Sequence, residues 1–233
     1  MSTLLLNGCS FTKNWFPINP NRDFIKKLGC DTVSNIAEHG TSFQRSVRTT
    51  IEWIAKNGNP GFVIIPITFA QRWEMCVGRE DHDIEGSWIP MQRKEFIDKD
   101  KISDLVHPES LYKLLDLYNG SIPDVRHNWD QCFTNIISLS AFLEHRKINY
   151  LMFDMCNNFE KKHLAGFKAF EKVRLIEHNK KIIDLFSFCG NRLMWNSMTE
   201  EEKNKTDPYA HHHGLSHYKY LEDYLVNYLR SQR

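Results

Sequence analysis

Thr3-Leu4-Leu5-Leu6-Asn7-Gly8-Cys9-Ser10-Phe11-Thr12 is the stretch that decides the fold of this chain. An apolar run of strand length stops at a glycine and then presents a small hydroxyl residue. A parallel α/β sheet delivers a nucleophile to the C-terminal edge of its first strand in this way. Ser10 is the candidate on that reading, although a serine after a strand also serves commonly as a turn or helix-cap residue. Cys9 should diverge from Ser10, because neighbouring side chains in a strand-to-turn segment point apart, and a thiol facing the core behaves as a small hydrophobe.

Outward from that turn, Lys13 to Asn21 is rich in Asn, Pro and aromatics and reads as loop, and Phe24 to Leu28 reads as the first crossover helix. Asp31 to Ile36 alternates as a short strand that ends in Ala37-Glu38-His39-Gly40. Thr41 or Ser42 can cap the next helix, whose apolar positions are Val47, Ile51 and Ile54, and Asn57-Gly58-Asn59-Pro60-Gly61 stops it. Phe62-Val63-Ile64-Ile65 is continuous and β-branched, as a central parallel strand buried on both faces should be.

Met75 to Asn128 is looser, with one helix expected over Glu109 to Tyr118, and reads as an insertion over the strand edge. Trp129 to Leu143 has helical spacing, Ile148 to Phe153 is a fourth strand, Glu160 to Val173 a helix and Lys181 to Phe186 a short fifth strand. Asn191 to Thr206 is weakly patterned. His217 to Leu229 closes the chain as an amphipathic helix with Tyr220, Leu221, Tyr224, Leu225 and Tyr228 on its packing side. The expected fold is a three-layer α/β/α, flavodoxin-like sandwich around a mostly parallel five-stranded sheet. It forms a single domain over residues 1–233 with an insertion at about 75–128.

The 233 residues with 41% apolar content can bury a full core. Thirty basic against twenty-nine acidic side chains leave a formal charge of +1, so no global field draws the chain to nucleic acid or anionic lipid. Neither is an expected partner. The six cysteines include no C-x-x-C pair and read as reduced thiols. Leu4 to Leu6 is too short for a signal-peptide core, and no apolar run approaches the roughly 18 residues of a membrane span. The sequence-based expectation is a protein without a signal peptide, cytoplasmic or virion-associated.

Taken with Asp207-Pro208-Tyr209-Ala210-His211-His212-His213-Gly214-Leu215-Ser216-His217, the opening turn resembles the SGNH (GDSL-type) hydrolase family. Gly8-Cys9-Ser10-Phe11-Thr12 sits where that family has Gly-Asp-Ser, with Cys9 in place of the aspartate. The resemblance implies Ser10 as nucleophile, His211 as base and Asp207 as its orienting carboxylate. It implies an oxyanion hole from the Ser10 N–H and from Gly40, which falls at the family's second block. The third block, normally Gly-x-Asn-Asp, reads Pro66-Ile67-Thr68-Phe69-Ala70-Gln71-Arg72-Trp73-Glu74. It has no asparagine, so Thr68, Gln71 or Arg72 is left to substitute. Asp207 stands four residues before His211 where the family has three, and His212 is a competing base. His217, six residues on, is expected to point back to His211.

The physical requirements agree with these roles. A serine hydroxyl needs an imidazole within hydrogen-bond reach, a carboxylate to orient it and donors aimed at the developing oxyanion. Three consecutive histidines invite a metal reading, but adjacent side chains in an extended segment alternate faces and do not converge on one ion. No metal and no cofactor is expected. Arg72 can clamp a carboxylate or phosphate, or it can pair internally with Glu74. Gln71, Arg72 and His212 are the candidate substrate-binding residues. Loop aromatics (Trp15, Phe16, Trp73, Trp88, Trp129, Trp195) would suit stacking on sugars, although core packing is their commoner use. The expected activity is serine-dependent hydrolysis of a small acyl ester or an acylated glycan. The rival expectation is a non-catalytic module of the same fold, such as a virion component with assembly partners.

Overall fold

The computed structural model describes residues 1–15, 22–70, 72–76, 88–91, 109, 112–113, 116–117, 125–157, 181–205 and 215–231. Four strands, β1 (Thr3–Leu6), β2 (Thr32–Asn35), β3 (Phe62–Ile67) and β6 (Asn149–Asp154), form one sheet in the order β2-β1-β3-β6. Every pairing in it is parallel, with Leu6 opposite both Asn35 and Ile64, and Ile67 opposite Asp154. Parallel neighbours need crossovers, and helices α1 (Ser10–Trp15), α2 (Arg22–Lys27), α3 (Phe43–Asn57) and α4 (Val125–His145) lie between the strands in sequence. The chain goes from β1 out to β2 and returns across β1 to β3. The order therefore reverses between β1 and β3, where a crevice opens at the strands' C-terminal ends.

The alternation of strand side chains sorts the core into two layers. Leu4, Leu6, Ile64, Leu151 and Phe153 pack with Phe11, Trp15, Phe24 and Ile25 of α1 and α2 and with Tyr218, Leu221 and Leu225 of the closing helix α7 (Leu215–Ser231). Leu5, Val63, Ile65, Tyr150 and Met152 pack with Phe43 and Ile54 of α3 and Phe133, Ile136 and Leu139 of α4. The central strand β3 is apolar throughout because both its faces are covered, and the three-layer α/β/α architecture follows.

Local signals account for the α3 boundaries. Ser42 caps its start, accepting the Arg45 N–H at 3.0 Å. At its end the Gly58 N–H donates to Ile54 O at 2.9 Å. In α3 Ile54 is buried, while Val47 and Ile51 are partly buried against the same layer.

Several expectations are corrected. Lys181 to Phe186 does not form a fifth strand: one parallel bridge joins Met152 to Ile182. Asp184 then turns the chain away, its carboxylate accepting the Phe186 N–H at 3.0 Å and its carbonyl the Phe188 N–H at 3.1 Å. Lys13 to Trp15 is helical because α1 starts at Ser10. The insertion contains an antiparallel hairpin, β4 (Trp73–Cys76) with β5 (Trp88–Met91), that the sequence did not announce. The weakly patterned stretch holds two helices, α5 (Gly190–Asn196) and α6 (Glu200–Lys205). Thr199 and Glu202 close a capping box at the start of α6.

On α7 the packing face is Tyr218, Leu221, Leu225 and Val226, with Tyr220 half exposed. Tyr224 reaches only the rim, where it stacks on Phe188 at 4.7 Å. Half of the helix expected over Glu109 to Tyr118, and all of the one over Glu160 to Val173, lie outside the described residues. Among the described residues no helix is long and apolar enough to cross a membrane.

Candidate functional site

β1 leads into the crevice through Asn7, which is fully buried on the α3 side of the sheet. Its Oδ1 accepts the Gly8 N–H at 2.8 Å. Its Nδ2 lies 2.9 Å from Ser46 O, 2.8 Å from Thr49 Oγ1 and 2.9 Å from Thr50 Oγ1. One amide thus fastens the turn to the first half of α3. Gly8 follows at φ +149°, and a Cβ there would run into the Thr12 hydroxyl, so the turn requires glycine. Cys9 O accepts the Lys13 N–H at 2.9 Å, which makes Ser10 the first residue of α1. A residue in that position has an N–H with no helical carbonyl to bind, and the Ser10 side chain is half-buried.

The loop after β2 is tied to the same turn. Gly8 O accepts the Glu38 N–H and the Thr41 hydroxyl, each at 3.2 Å, and Asn35 Nδ2 donates to Thr12 O at 3.0 Å. Gly40 lies in this loop at φ +70°, a conformation open to glycine at little cost. Ser10 and Gly40 therefore sit on two loops that share hydrogen bonds.

Neither polar signature was legible as such: Asn7 reads as the polar end of a leucine run, and its partners are some 40 positions away. Replacing Asn7 by leucine should orphan the Gly8 N–H and loosen the α3 hydroxyls. We expect a loss of about 2–4 kcal/mol of stability, from one or two buried groups left unpaired at about 1–3 kcal/mol each. Urea unfolding checks it, and a change under about 1 kcal/mol would mean that the clasp is dispensable.

Cys9 is fully buried among the residues of α1 and α7, as its divergence from Ser10 implies. Hydrogen bonding from the Cys156 thiol brings Cys9 down from 9.0 to about 6 against the opposing effect of burial, helped by the Phe11 N–H and the charge of Arg72. The Thr68 hydroxyl, beside this thiol, acts in the same direction. Burial, reinforced by Cys9, pushes Cys156 well above the usual thiol range.

The linkage has a definite sign. Between pH 6 and pH 9 the unfolded chain still holds the proton that folded Cys9 has released, so this group adds stability as pH rises through that window and loses it as pH falls. The stability difference between wild type and Cys9→Ala should accordingly widen from pH 6 to pH 9 in denaturant titrations. A difference independent of pH would mean that the thiol keeps its proton.

Beyond β3 the chain turns through Thr68 to Arg72, and residues past β6 hold that turn. Asn157 Oδ1 accepts the Ala70 N–H at 2.7 Å, and its Nδ2 donates to Thr68 O at 2.9 Å. Asp154, fully buried, anchors Asn157 in turn by accepting its N–H at 2.8 Å and its Nδ2 at 2.9 Å. Thr68 Oγ1 is buried without a hydrogen-bond partner. The Arg72 guanidinium lies over the Phe69 ring at 4.7 Å, and its Nη1 is buried without a hydrogen-bond partner. The internal Arg72–Glu74 pair does not form, because Glu74 is taken by Arg48 of α3 at 3.5 Å. Gln71 lies outside the described residues.

The closing helix is pinned to α1. Tyr218 OH donates to Phe11 O at 3.0 Å, Trp15 Nε1 donates to Glu222 Oε1 at 3.1 Å, and the Trp15 and Tyr218 rings stack. Asp207, His211 and His212 lie outside the described residues.

His217 was expected to point back to His211, which lies outside the described residues; the contacts that are described join it to the α5–α6 corner. Its Nδ1 is 3.1 Å from Ser197 Oγ and its Nε2 is 3.9 Å from Glu202 Oε1. The Ser197 hydroxyl donates its proton to Met194 O at 2.6 Å, so toward His217 it accepts. This serine–histidine–glutamate set has the wrong polarity to activate a nucleophile, and it joins α7 to the α5–α6 corner. Of the aromatics considered as a sugar platform, Trp15 and Trp129 are buried and serve the core.

No protein-family model and no curated protein sequence matches the chain. Three solved structures resemble it over nearly its whole length. TesA gives a TM-score of 0.48 at 12% identity, covering 99% of this chain and 99% of its own. The psychrotrophic esterase EstA from Pseudoalteromonas sp., inhibited by monoethylphosphonate, gives 0.48 at 11% identity, covering 100% and 98%. A candidate lipolytic protein of the G-D-S-L family from Desulfitobacterium hafniense DCB-2 gives 0.47 at 14% identity, covering 98% and 99%. Likeness at this level carries no argument about chemistry, which rests on the residues themselves. Among the described residues no cluster of histidine, cysteine, aspartate or glutamate is arranged to hold a metal ion.

Proposed function

We propose that this chain is a serine-dependent ester hydrolase of the SGNH type, acting on a small acyl ester or an acylated glycan. One observation carries the reading: Ser10 opens a helix at the crevice between β1 and β3, on a turn fastened to α3 through Asn7 and to the β2 loop through Gly8 O. A nucleophile needs that kind of rigid support. Ser10 Oγ attacks the acyl carbon while His211 takes its proton and Asp207 orients the imidazole. The alcohol leaves with that proton, and water then attacks the acyl-enzyme to release the acid and restore Ser10.

The N–H groups of Ser10 and Gly40 and the Thr68 hydroxyl face the developing oxyanion in this scheme, and Gln71, Arg72 and His212 bind the rest of the substrate. Thr68 suits its role because its hydroxyl is buried and otherwise unpartnered. His211 stands four residues before the start of α7. At about 3.3–3.6 Å per extended residue it lies within about 14 Å of Leu215, on the helix that Tyr218 pins to α1.

The test is a fluorophosphonate probe followed by peptide mass analysis. One adduct, on Ser10, is expected. A folded protein that takes no label would favour the second reading, a non-catalytic module of a larger assembly such as a virus particle. That reading is prompted by the third block, where Pro66 to Glu74 contains no asparagine to complete the oxyanion hole.

A further inference from the structure

Arg72 presents the least explained charge at the crevice. Its Nη1 is shut off from solvent and has no hydrogen-bond partner, whereas buried charged donors in folded proteins are almost always paired. Among the described residues no carboxylate offsets it, since Glu74 is engaged by Arg48, and the negative charge set against it is that of the Cys9 thiol, which leaves Nη1 without a hydrogen-bond partner. The contact with Phe69 covers a face of the guanidinium and leaves the in-plane N–H donors for a ligand.

Two further observations place a ligand beside it. Thr68 Oγ1, on the same turn, is fully buried and, apart from its approach to the Cys9 thiol, without a hydrogen-bond partner. The turn carrying both residues is held by the two Asn157 hydrogen bonds, so the donors are preorganised. The neighbouring cations have acceptors already: Lys13 pairs with Glu38, Arg45 donates to Ile36 O, and Arg48 pairs with Glu52 and Glu74. One unpaired guanidinium suits a monoanion better than a phosphate dianion, which calls for more than one positive charge.

We infer that Arg72 is the specificity residue of this site and that the ester it serves carries a carboxylate near the scissile bond. The inference rests on the ester-hydrolase reading and narrows it from neutral acyl groups to anionic ones. The guanidinium fork meets the carboxylate edge-on with its face on Phe69, and Thr68 lies on the same turn.

The experiment compares p-nitrophenyl acetate with mono-p-nitrophenyl succinate for wild type, Arg72→Gln and Arg72→Lys. In Arg72→Gln the ratio of kcat/KM for the succinate ester to that for the acetate ester should fall at least about tenfold, the low end of what a charge-assisted hydrogen bond is worth. Arg72→Lys should recover part of the ratio, as a point charge without the fork. An unchanged ratio, even with both rates lowered, would overturn the proposal and leave Arg72 to the reacting carbonyl or to the loop.

Succinamate, a monoanion with no ester bond to cleave, gives a reading that needs no turnover. It should raise the melting temperature of wild type and leave that of Arg72→Gln where it was. If wild type hydrolyses neither ester and takes no fluorophosphonate, the hydrolase reading has failed. Arg72-dependent stabilisation by succinamate would then still establish the anion site, and its absence would remove it.

Discussion

Ser10→Ala should lower kcat for a p-nitrophenyl ester by about four orders of magnitude or more, the scale on which a serine hydrolase depends on its nucleophile. The fold should be indifferent to the change. Alanine is a good helix former, and among the described residues no hydrogen bond engages the Ser10 hydroxyl. Stability should therefore move by no more than about 0.5 kcal/mol. Catalysis and folding are thus separable at this position. Equal rates for wild type and Ser10→Ala would remove Ser10 from the mechanism. Cys9→Ala provides the control for its neighbour: with its side chain packed between α1 and α7, Cys9 should affect stability and leave most turnover in place. Complete loss of turnover in folded Cys9→Ala would transfer the nucleophile's role to the thiol.

His211→Ala should lose at least about two orders of magnitude in kcat, the low end of what a general base contributes. A base works as the neutral imidazole, so kcat/KM of wild type should fall as pH drops through about 6 to 7, the ordinary histidine range. His212→Ala should act through KM and lose far less. Adjacent side chains in an extended segment face opposite ways, so one imidazole can turn to Ser10 only as its neighbour turns aside. The opposite ranking would make His212 the base and undo the Asp207 assignment, because the carboxylate would have to reach one residue further along the loop. His217 is buried at the α5–α6 corner, with Ser197 on its Nδ1 and Glu202 3.9 Å from its Nε2.

Patterns of a few residues were enough to read the sheet. Leu4 to Leu6, Phe62 to Ile65 and Tyr150 to Phe153 are apolar without interruption because helices cover both faces, and burial of that kind is written residue by residue. The α3 cap at Ser42 and its stop at Gly58 were legible for the same reason, since each depends on the backbone within one turn of itself. The position of Ser10 at the end of β1 also follows from local sequence.

What surrounds Ser10 was decided by topology. Asn7 finds its partners 39 to 43 residues away on α3, Asn157 holds a turn 87 to 89 residues before it, and Tyr218 reaches Phe11 across 207. Nothing within one turn of these side chains names their partners, because each pairing exists only once parallel crossovers have brought several strand ends to one edge. The closing helix shows the same division. Its amphipathic spacing announced a packed helix, but Tyr218 and Glu222 found partners on α1, and that docking turned Tyr220 out to solvent. The fifth strand failed for a related reason: Ile182 can pair with Met152, but Asp184 captures the next backbone N–H groups into a turn. Periodicity reports which residues are apolar, and competition between a turn and a ladder is settled by tertiary geometry.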